Sequence, residues 1–356
     1  MVLIEQLKAD ASANVTARAT LQQIAEAGSI GRPRLAELYR MFYTHGPGGG
    51  TMLSLPFDQL VEHGVGHMLK WERSADPRAV IELANRGVFS ALVLSIGQAE
   101  KYQRLIRPDL PLIVKVDGHF LVGPEVDYPR HSTMATVDRA VTAGANAVGF
   151  TFYFGGEQTE QDVERVGAIT QRAHELGKPV FMWAYARGPL PSQMGTDSLY
   201  WCAQGISAAE SIGVDVVKQK FPVRVKDPAA YRKQLQATNG QKGYFYNKMP
   251  EVDRLLELEP EDPDAWDHAL HVRRLSFMAA AAPHTLKIIS GGPKTSDPKK
   301  DLIETTRAVL DGGCEGRIVG RQLWGRPLEE ALELNRQLVE VMRESVYQRE
   351  FKIAGT

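Results

Sequence analysis

The chain is 356 residues long and nearly neutral, with 42 Lys and Arg residues, 43 Asp and Glu residues and a formal net charge of -1. This length suits one large barrel or two ordinary domains, and the charge provides no basic field for nucleic acid. The two cysteines, Cys202 and Cys314, are far apart, as is usual in a reducing compartment. No apolar run approaches membrane-spanning length. We therefore expect a soluble cytoplasmic protein with a small-molecule partner, without nucleic-acid or membrane partners.

Residues 1–50 are predicted to form a helical extension ahead of the main domain. Five apolar residues recur here at helical spacings: Leu21, Ile24, Leu35, Leu38 and Met41. The glycine-rich run 46–50 then interrupts the helical pattern. Because no lysine and hydroxyl residue follow it at the start of a helix, this run is not a phosphate-binding loop. We interpret it as a hinge or as part of the extension.

From Met52 onward, apolar runs of strand length alternate with helical patterns. The runs lie at 52–58, 91–95, 111–117, 147–154, 179–185, 214–220, 285–290 and 316–321. The helical patterns lie at 76–87, 134–144, 159–177, 196–212, 300–312 and 327–345. Eight such units favour a (β/α)8 TIM barrel over a doubly wound sheet. We therefore predict an α/β barrel catalytic domain over 51–356.

The interval at about 222–284 separates two predicted strands by about twice the usual distance. It contains an acidic, proline-punctuated segment at 257–264, followed by a second helical pattern at 265–281. We interpret this interval as an insertion after the sixth strand.

Barrel active sites form at the carboxyl ends of the strands, so polar residues there are the candidates for chemistry. On the fifth strand Trp183, Tyr185 and Arg187 share one face, because strand side chains alternate. The same alternation places Lys218 and Lys220 together on the sixth. Other polar residues at or just beyond strand ends are Asp58, Glu62, His63, Lys115, Asp117 and Tyr153. An acid, a phenol, an arginine and lysines on one rim suit bond making and breaking beside a carbonyl.

Lys218 lies near the end of a strongly apolar strand, where an unpaired ammonium group is costly to bury. It is therefore a paired lysine, a phosphate-facing charge, or an amine kept neutral for nucleophilic attack. Lys220 is two residues closer to the following loop. We expect Lys220 to be the more solvent-exposed of the two and to keep its proton.

The predicted strands seven and eight end in small residues and an arginine. Ser290, Gly291 and Gly292 follow one strand, and Gly320 and Arg321 end the other. Barrels commonly hold a phosphate at this position, on exposed backbone amides. The substrate is therefore predicted to be phosphorylated.

Six segments, in this order, resemble the archaeal-type class I fructose-1,6-bisphosphate aldolases over about 52–345. They are LPFDQLVEHG (55–64), GFTFYFGG (149–156), WAYARG (183–188), DVVKQK (215–220), SGGPKT (290–295) and VGRQLWGRP (319–327). The resemblance implies a metal-independent lyase of glycolysis and gluconeogenesis that has no cofactor. Its reaction is the reversible cleavage of fructose 1,6-bisphosphate to dihydroxyacetone phosphate and glyceraldehyde 3-phosphate. A homo-oligomer is also implied, a decamer being one common form.

The resemblance also implies roles for individual residues. In the family, the lysine matching Lys218 forms the Schiff base and the tyrosine matching Tyr185 is the general acid and base. The matches to Asp58 and Trp183 shape the pocket. One phosphate is expected on Ser290, Gly291, Gly292, Gly320 and Arg321, while His63 and Arg187 line the other end of the site. Both Arg224 and Lys226 remain candidates for the contact with the second phosphate.

Other interpretations are open. Related lysine-dependent enzymes act on other sugar phosphates, among them a transaldolase-like enzyme, a thiolase and a synthase of aromatic amino acid precursors. A phosphate-binding barrel isomerase would use Asp58 or Asp117 as its base and Lys218 as a charge. A non-catalytic barrel is disfavoured because Asp58, Tyr185 and Lys218 are all present. His63 and His67 have the i, i+4 spacing of metal ligands, but no further histidine cluster accompanies them.

Overall fold

The computed structural model describes residues 13–14, 20–28, 30–58, 76–119, 132–225, 227–229, 255–260, 266–292 and 297–352. Within these residues, eight parallel strands close into a barrel with β1 beside both β2 and β8. The strands are β1 (Met52–Phe57), β2 (Ala91–Ser95), β3 (Leu112–Lys115), β4 (Ala147–Phe154), β5 (Val180–Ala186), β6 (Val216–Lys220), β7 (Leu286–Ser290) and β8 (Gly316–Ile318). All eight predicted strands are confirmed, and with the flanking helices they form a (β/α)8 TIM barrel.

The described helices precede the barrel or flank its strands. They are α1 (Leu21–Glu26), α2 (Arg32–Tyr39), α3 (Pro77–Arg86), α4 (Ile96–Tyr102), α5 (Val137–Thr142), α6 (Thr159–Glu175), α7 (Pro189–Met194), α8 (Leu199–Ile212), α9 (His268–Ala280), α10 (Pro298–Asp311), α11 (Arg321–Trp324) and α12 (Leu328–Met342). A π-helical turn (Arg40–Thr44) continues α2, and a 3-10 turn (Gln103–Leu105) follows α4. In the part of the chain described here, no helix is long and apolar enough to cross a membrane.

The predicted ends of the third and eighth strands are wrong. Asp117 and Gly118 leave the barrel and pair antiparallel with Ser132 and Thr133. The eighth strand ends at Ile318, and Arg321 begins α11 instead of ending the strand. Gly320, with φ -104° and ψ -93°, makes the change of direction between them.

Side-chain alternation divides the barrel strands into an inner and an outer face. On β5, Phe181, Trp183 and Tyr185 belong to a cluster inside the barrel, whereas Val180 and Met182 pack in the layer beneath the helices. The same period applies to β6, where Val216 is inside and Val217 outside. Lys218, two residues after Val216, therefore faces the interior.

The described part of the N-terminal extension covers the amino-terminal end of the barrel. Five buried residues of this extension belong to the inner cluster, which also contains the first residues of several strands. The five are Leu21, Ile24, Leu38, Met41 and Phe42. Polar pairs fix the same contact, with Lys178 Nζ 2.9 Å from Glu37 and Arg34 Nη1 3.1 Å from Asp215. The extension thus closes the end opposite the predicted active site. The domain boundary at residue 50 remains a prediction.

The glycine-rich run 46–50 forms a tight turn into β1. Gly46, Gly48, Gly49 and Gly50 all have positive φ angles, between 59° and 81°. A Cβ at Gly49 would lie only 2.0 Å from Gln348 Oε1. The Gly49 carbonyl accepts a hydrogen bond from the Arg349 amide at 2.8 Å. The run therefore packs against the C-terminal segment, and a side chain is excluded at Gly49.

The segment between β6 and β7, predicted to be an insertion, braces the loop that follows β6. Its predicted second helix is confirmed as α9. Arg274 on α9 donates to the Val223 carbonyl at 3.0 Å, and Glu259 accepts from the Val225 amide at 2.9 Å. Arg274 and Glu259, both buried, lie 3.5 Å apart as an ion pair. The backbone on either side of Arg224 is consequently held in place.

Candidate active site

Lys218 and Tyr185 meet inside the barrel. The Lys218 Nζ donates a hydrogen bond to the Tyr185 Oη, and it lies 4.6 Å from the centroid of the same ring. Each residue is only 9% exposed. The two come from neighbouring strands, since β5 pairs with β6. An amine and a phenol are thus held in direct contact and largely shielded from water, as a nucleophile and its proton-transfer partner require.

Asp58, Lys115 and Trp183 continue this arrangement around the inner wall. Trp183 is opposite Lys218 in the β5–β6 register. Lys115 Nζ lies 5.9 Å from the Trp183 ring centroid and 3.6 Å from Asp58 Oδ2. The Lys115 side chain is fully buried. The structure therefore brings Asp58 and Trp183 together through Lys115, a residue predicted to lie at a strand end but not assigned a role.

Lys220 occupies a more open position above the amine–phenol pair. Its side chain is 35% exposed and lies 2.6 Å from Asp197 Oδ2. Its Nζ is also 5.4 Å from the Tyr185 ring centroid. The difference in depth predicted between Lys218 and Lys220 is present in the structure. Asp197 precedes α8 and was missed, because no local pattern links this loop residue to Lys220.

Arg187 lies against both tyrosines of the inner wall. Its Cζ is 5.3 Å from the Tyr185 ring centroid and 5.4 Å from that of Tyr153. One guanidinium nitrogen donates to the Ala186 carbonyl at 2.7 Å. Arg187 therefore adds a cation at the rim beside Tyr185. His63, predicted at the same end of the site, lies outside the described residues.

The predicted phosphate residues follow two neighbouring strands. Ser290 is opposite Lys220 in the β6–β7 register. Gly291 and Gly292 come next, with φ angles of 73° and 148° that favour glycine. Gly320 precedes α11, where Arg321 is exposed. Because β7 pairs with β8, the two loop segments begin at adjacent positions on the rim.

The structure describes one of the two candidates for the contact with the second phosphate. Arg224 is half-buried in the braced loop after β6. Lys226 lies outside the described residues. The contact with the second phosphate therefore remains a prediction shared between them.

Asp117, considered as the base of an isomerase, is engaged in a buried network. Both of its carboxylate oxygens accept from the Thr151 amide, and Arg165 Nη1 donates to it at 2.9 Å. Arg165 also donates to the Thr151 carbonyl and to Asp162. Asp117 thus stabilises the middle of β4 and is poorly placed to take a proton from a substrate.

A metal centre has no candidate within the described ranges. Among those residues, no three His, Cys, Asp or Glu side chains are grouped so that they could hold a metal ion. His63 and His67 fall outside them.

Comparison with known proteins gives consistent matches. Residues 52–326 match the sequence model of the DeoC/LacD family aldolases. A class 1 fructose-bisphosphate aldolase of Halobacterium salinarum is 28% identical over 280 residues, which cover 78% of this chain and 85% of that protein. The corresponding protein of Thermoproteus tenax is 27% identical, over 82% of this chain and 90% of its own. The crystal structure of an archaeal fructose 1,6-bisphosphate aldolase is similar with a TM-score of 0.64 and 25% identity, covering 86% and 98% of the two chains.

Proposed function

Because the chain belongs to the DeoC/LacD family of aldolases, we propose that it is a class I aldolase whose substrate is fructose 1,6-bisphosphate. It cleaves this sugar reversibly to dihydroxyacetone phosphate and glyceraldehyde 3-phosphate through an imine on Lys218. The observation that carries this proposal is the buried contact between Lys218 and Tyr185. The names of the relatives described above support the choice of substrate.

The reaction begins when the neutral Lys218 amine attacks the C2 carbonyl of the sugar and water leaves. The resulting protonated imine withdraws electrons from the C3–C4 bond. Tyr185, acting as the phenolate, takes the proton of the C4 hydroxyl, the C3–C4 bond breaks, and glyceraldehyde 3-phosphate departs as the aldehyde. The Tyr185 phenol so formed returns this proton to C3 of the remaining enamine, and hydrolysis of the resulting imine releases dihydroxyacetone phosphate and restores Lys218.

The surrounding charges suit a bisphosphate substrate. Lys115, Lys220 and Arg187 bring three cations to the inner wall and rim, against the carboxylates of Asp58 and Asp197. Cations close to Tyr185 favour the phenolate that must form when it acts as a base. Asp58 and Trp183 shape the pocket around the C3–C4 bond. Ser290, Gly291, Gly292, Gly320 and Arg321 hold one phosphate, and His63 and Arg187 line the opposite end.

We further propose that the enzyme is a cytoplasmic homo-oligomer, as its resemblance to the archaeal-type aldolases implies. Light scattering at several protein concentrations measures the mass in solution. A monomer at every concentration would contradict this proposal.

An aldol-cleavage assay with a panel of sugar phosphates tests the assigned reaction. We expect cleavage of fructose 1,6-bisphosphate to have the highest kcat/KM in the panel and to be unaffected by a metal chelator. A higher kcat/KM for another sugar phosphate would favour a related lysine-dependent aldolase. Isomerisation without cleavage would favour the barrel isomerase.

Replacing Arg321 by alanine is expected mainly to raise KM for the bisphosphate. The substitution removes a charge from a phosphate and leaves the reacting carbons untouched, so kcat should change little. Loss of one charge-assisted contact corresponds to roughly a 10- to 100-fold rise in KM. Steady-state kinetics on Arg321→Ala measures the effect. Arg336→Ala, which removes an exposed arginine of α12 paired with Glu333 and Glu340, is the control. An unchanged KM in Arg321→Ala would show that the phosphate site is misplaced.

A further inference from the structure

Arg317 is a fully buried cation in contact with Gly291, one of the residues predicted to bind a phosphate. It lies on β8 between Gly316 and Ile318, and Ile318 belongs to the inner cluster. By alternation, Arg317 faces the outer layer of the barrel. Its Nη2 donates to the Gly291 carbonyl at 2.6 Å and approaches Thr305 Oγ1 at 3.4 Å. Among the described residues, its Nε and Nη1 have no hydrogen-bond partner.

Three other buried cations in the described part of the barrel are paired with carboxylates. Lys115 lies 3.6 Å from Asp58, Arg274 lies 3.5 Å from Glu259, and Lys287 lies 3.8 Å from Glu315. Within the described ranges, Arg317 has no such ion pair. Burial lowers the pKa of Arg317 to about 9, which reflects the cost of a charge without a counter-ion. A buried group with this cost and no pairing partner suggests a role other than stability.

The hydrogen bond to Gly291 has a stereochemical consequence for the next amide. In a planar trans peptide, the carbonyl of one residue and the N–H of the following residue point in opposite directions. Because Arg317 holds the Gly291 carbonyl toward the outer layer, the Gly292 N–H is turned away from that layer. A side chain is excluded at position 292, since a Cβ would lie 2.7 Å from Thr305 Cγ2.

We propose that Arg317 is a positioning residue of the phosphate site. It orients the Gly291–Gly292 peptide so that the Gly292 amide can donate to a sugar phosphate monoester, and its own charge attracts that dianion through the poorly screened interior. This inference rests on the proposed function, because the phosphate belongs to the substrate. It adds a residue on the outer face of the barrel to a site otherwise formed at the rim.

Arg317→Met tests this role, because methionine fills much of the same space without charge or donors. Replacing a buried, unpaired cation by an apolar side chain is expected to leave the melting temperature unchanged or to raise it. KM for fructose 1,6-bisphosphate should rise at least about 10-fold, while kcat stays within about 3-fold of wild type. Stabilisation of the wild-type enzyme by inorganic phosphate, measured as a rise in melting temperature, should be largely lost. Arg317→Lys should recover part of both effects.

Arg34→Met is the matched control, since Arg34 is an arginine at the opposite end of the barrel that does have a carboxylate partner. It should lower the melting temperature and leave KM and the response to phosphate unchanged. An Arg317→Met enzyme with wild-type KM and a wild-type phosphate response would overturn the proposal. So would an Arg317→Met chain that melts far below wild type or does not fold, because Arg317 would then be structural.

Experiments on the wild-type enzyme distinguish a failure of the proposed function from a failure of this inference. If borohydride traps no imine and no sugar phosphate is cleaved, the proposed function fails. Stabilisation of the wild type by inorganic phosphate, and its loss in Arg317→Met, would then still support an anion site behind which Arg317 lies. If the imine forms and only the Arg317 variants behave as wild type, the function stands and the positioning role is wrong.

Discussion

Tyr185→Phe is expected to lose most aldol cleavage while it still forms the imine. The phenol acts after nucleophilic attack, and phenylalanine keeps the ring that packs against Lys218 and Arg187. Removing a general acid and base slows its step by roughly 10²- to 10⁴-fold. Cleavage is measured by steady-state kinetics, and imine formation by borohydride trapping with dihydroxyacetone phosphate.

Tyr347→Phe is the control for this substitution. Tyr347 is also buried, and its hydroxyl donates to Asp311 at 2.5 Å in a contact between the C-terminal segment and α10. Its loss should affect stability and leave kcat unchanged. Near-wild-type turnover by Tyr185→Phe would show that another group carries the proton.

Lys218→Met is expected to abolish both imine trapping and cleavage, with a fall in kcat of at least about 10³-fold. Methionine keeps the length and much of the volume of lysine, so packing against Tyr185 should survive. Lys220→Met provides the contrast. It removes a cation 5.4 Å from the Tyr185 ring that pairs with Asp197, so cleavage should fall moderately while the imine still forms. A labelled Lys218→Met enzyme beside an unlabelled Lys220→Met enzyme would reverse the two assignments.

Much of the barrel could be predicted because its signals are local. Each buried parallel strand appears as a short apolar run, and the side-chain period of two then determines which residues share a face. Trp183 with Tyr185, and Lys218 with Lys220, were placed on common faces in this way. The depth difference between the two lysines followed from their distance to the loop. Nothing beyond the strand itself was needed for these predictions.

Contacts between distant segments could not be predicted. Asp197 and Lys220 are 23 residues apart, and Arg317 and Gly291 are 26 apart. Their pairing depends on loop paths and on register between strands, neither of which leaves a periodic pattern. The Lys115–Asp58 contact joins β3 to the residue that follows β1, on the two sides of β2 in the barrel, and no local sequence pattern links these positions.

The strand ends that were predicted wrongly have a similar cause. An apolar run continues through Val116 and through Val319, so hydropathy alone extends both strands. Asp117 turns away because its carboxylate is held by the Thr151 amide and Arg165, and Gly320 has a backbone conformation outside the strand region. The spacing of apolar residues in the N-terminal segment likewise predicted helices with an apolar face. It did not predict that this face packs against the end of the barrel.

Reductive trapping followed by peptide mapping tests the central claim most directly. The enzyme is treated with borohydride in the presence of dihydroxyacetone phosphate, digested, and analysed by mass spectrometry. We expect one covalent adduct, on the peptide that contains Lys218 and at Lys218 itself. An adduct at Lys220 or Lys115, or full aldolase activity with no adduct on any lysine, would contradict the mechanism proposed here.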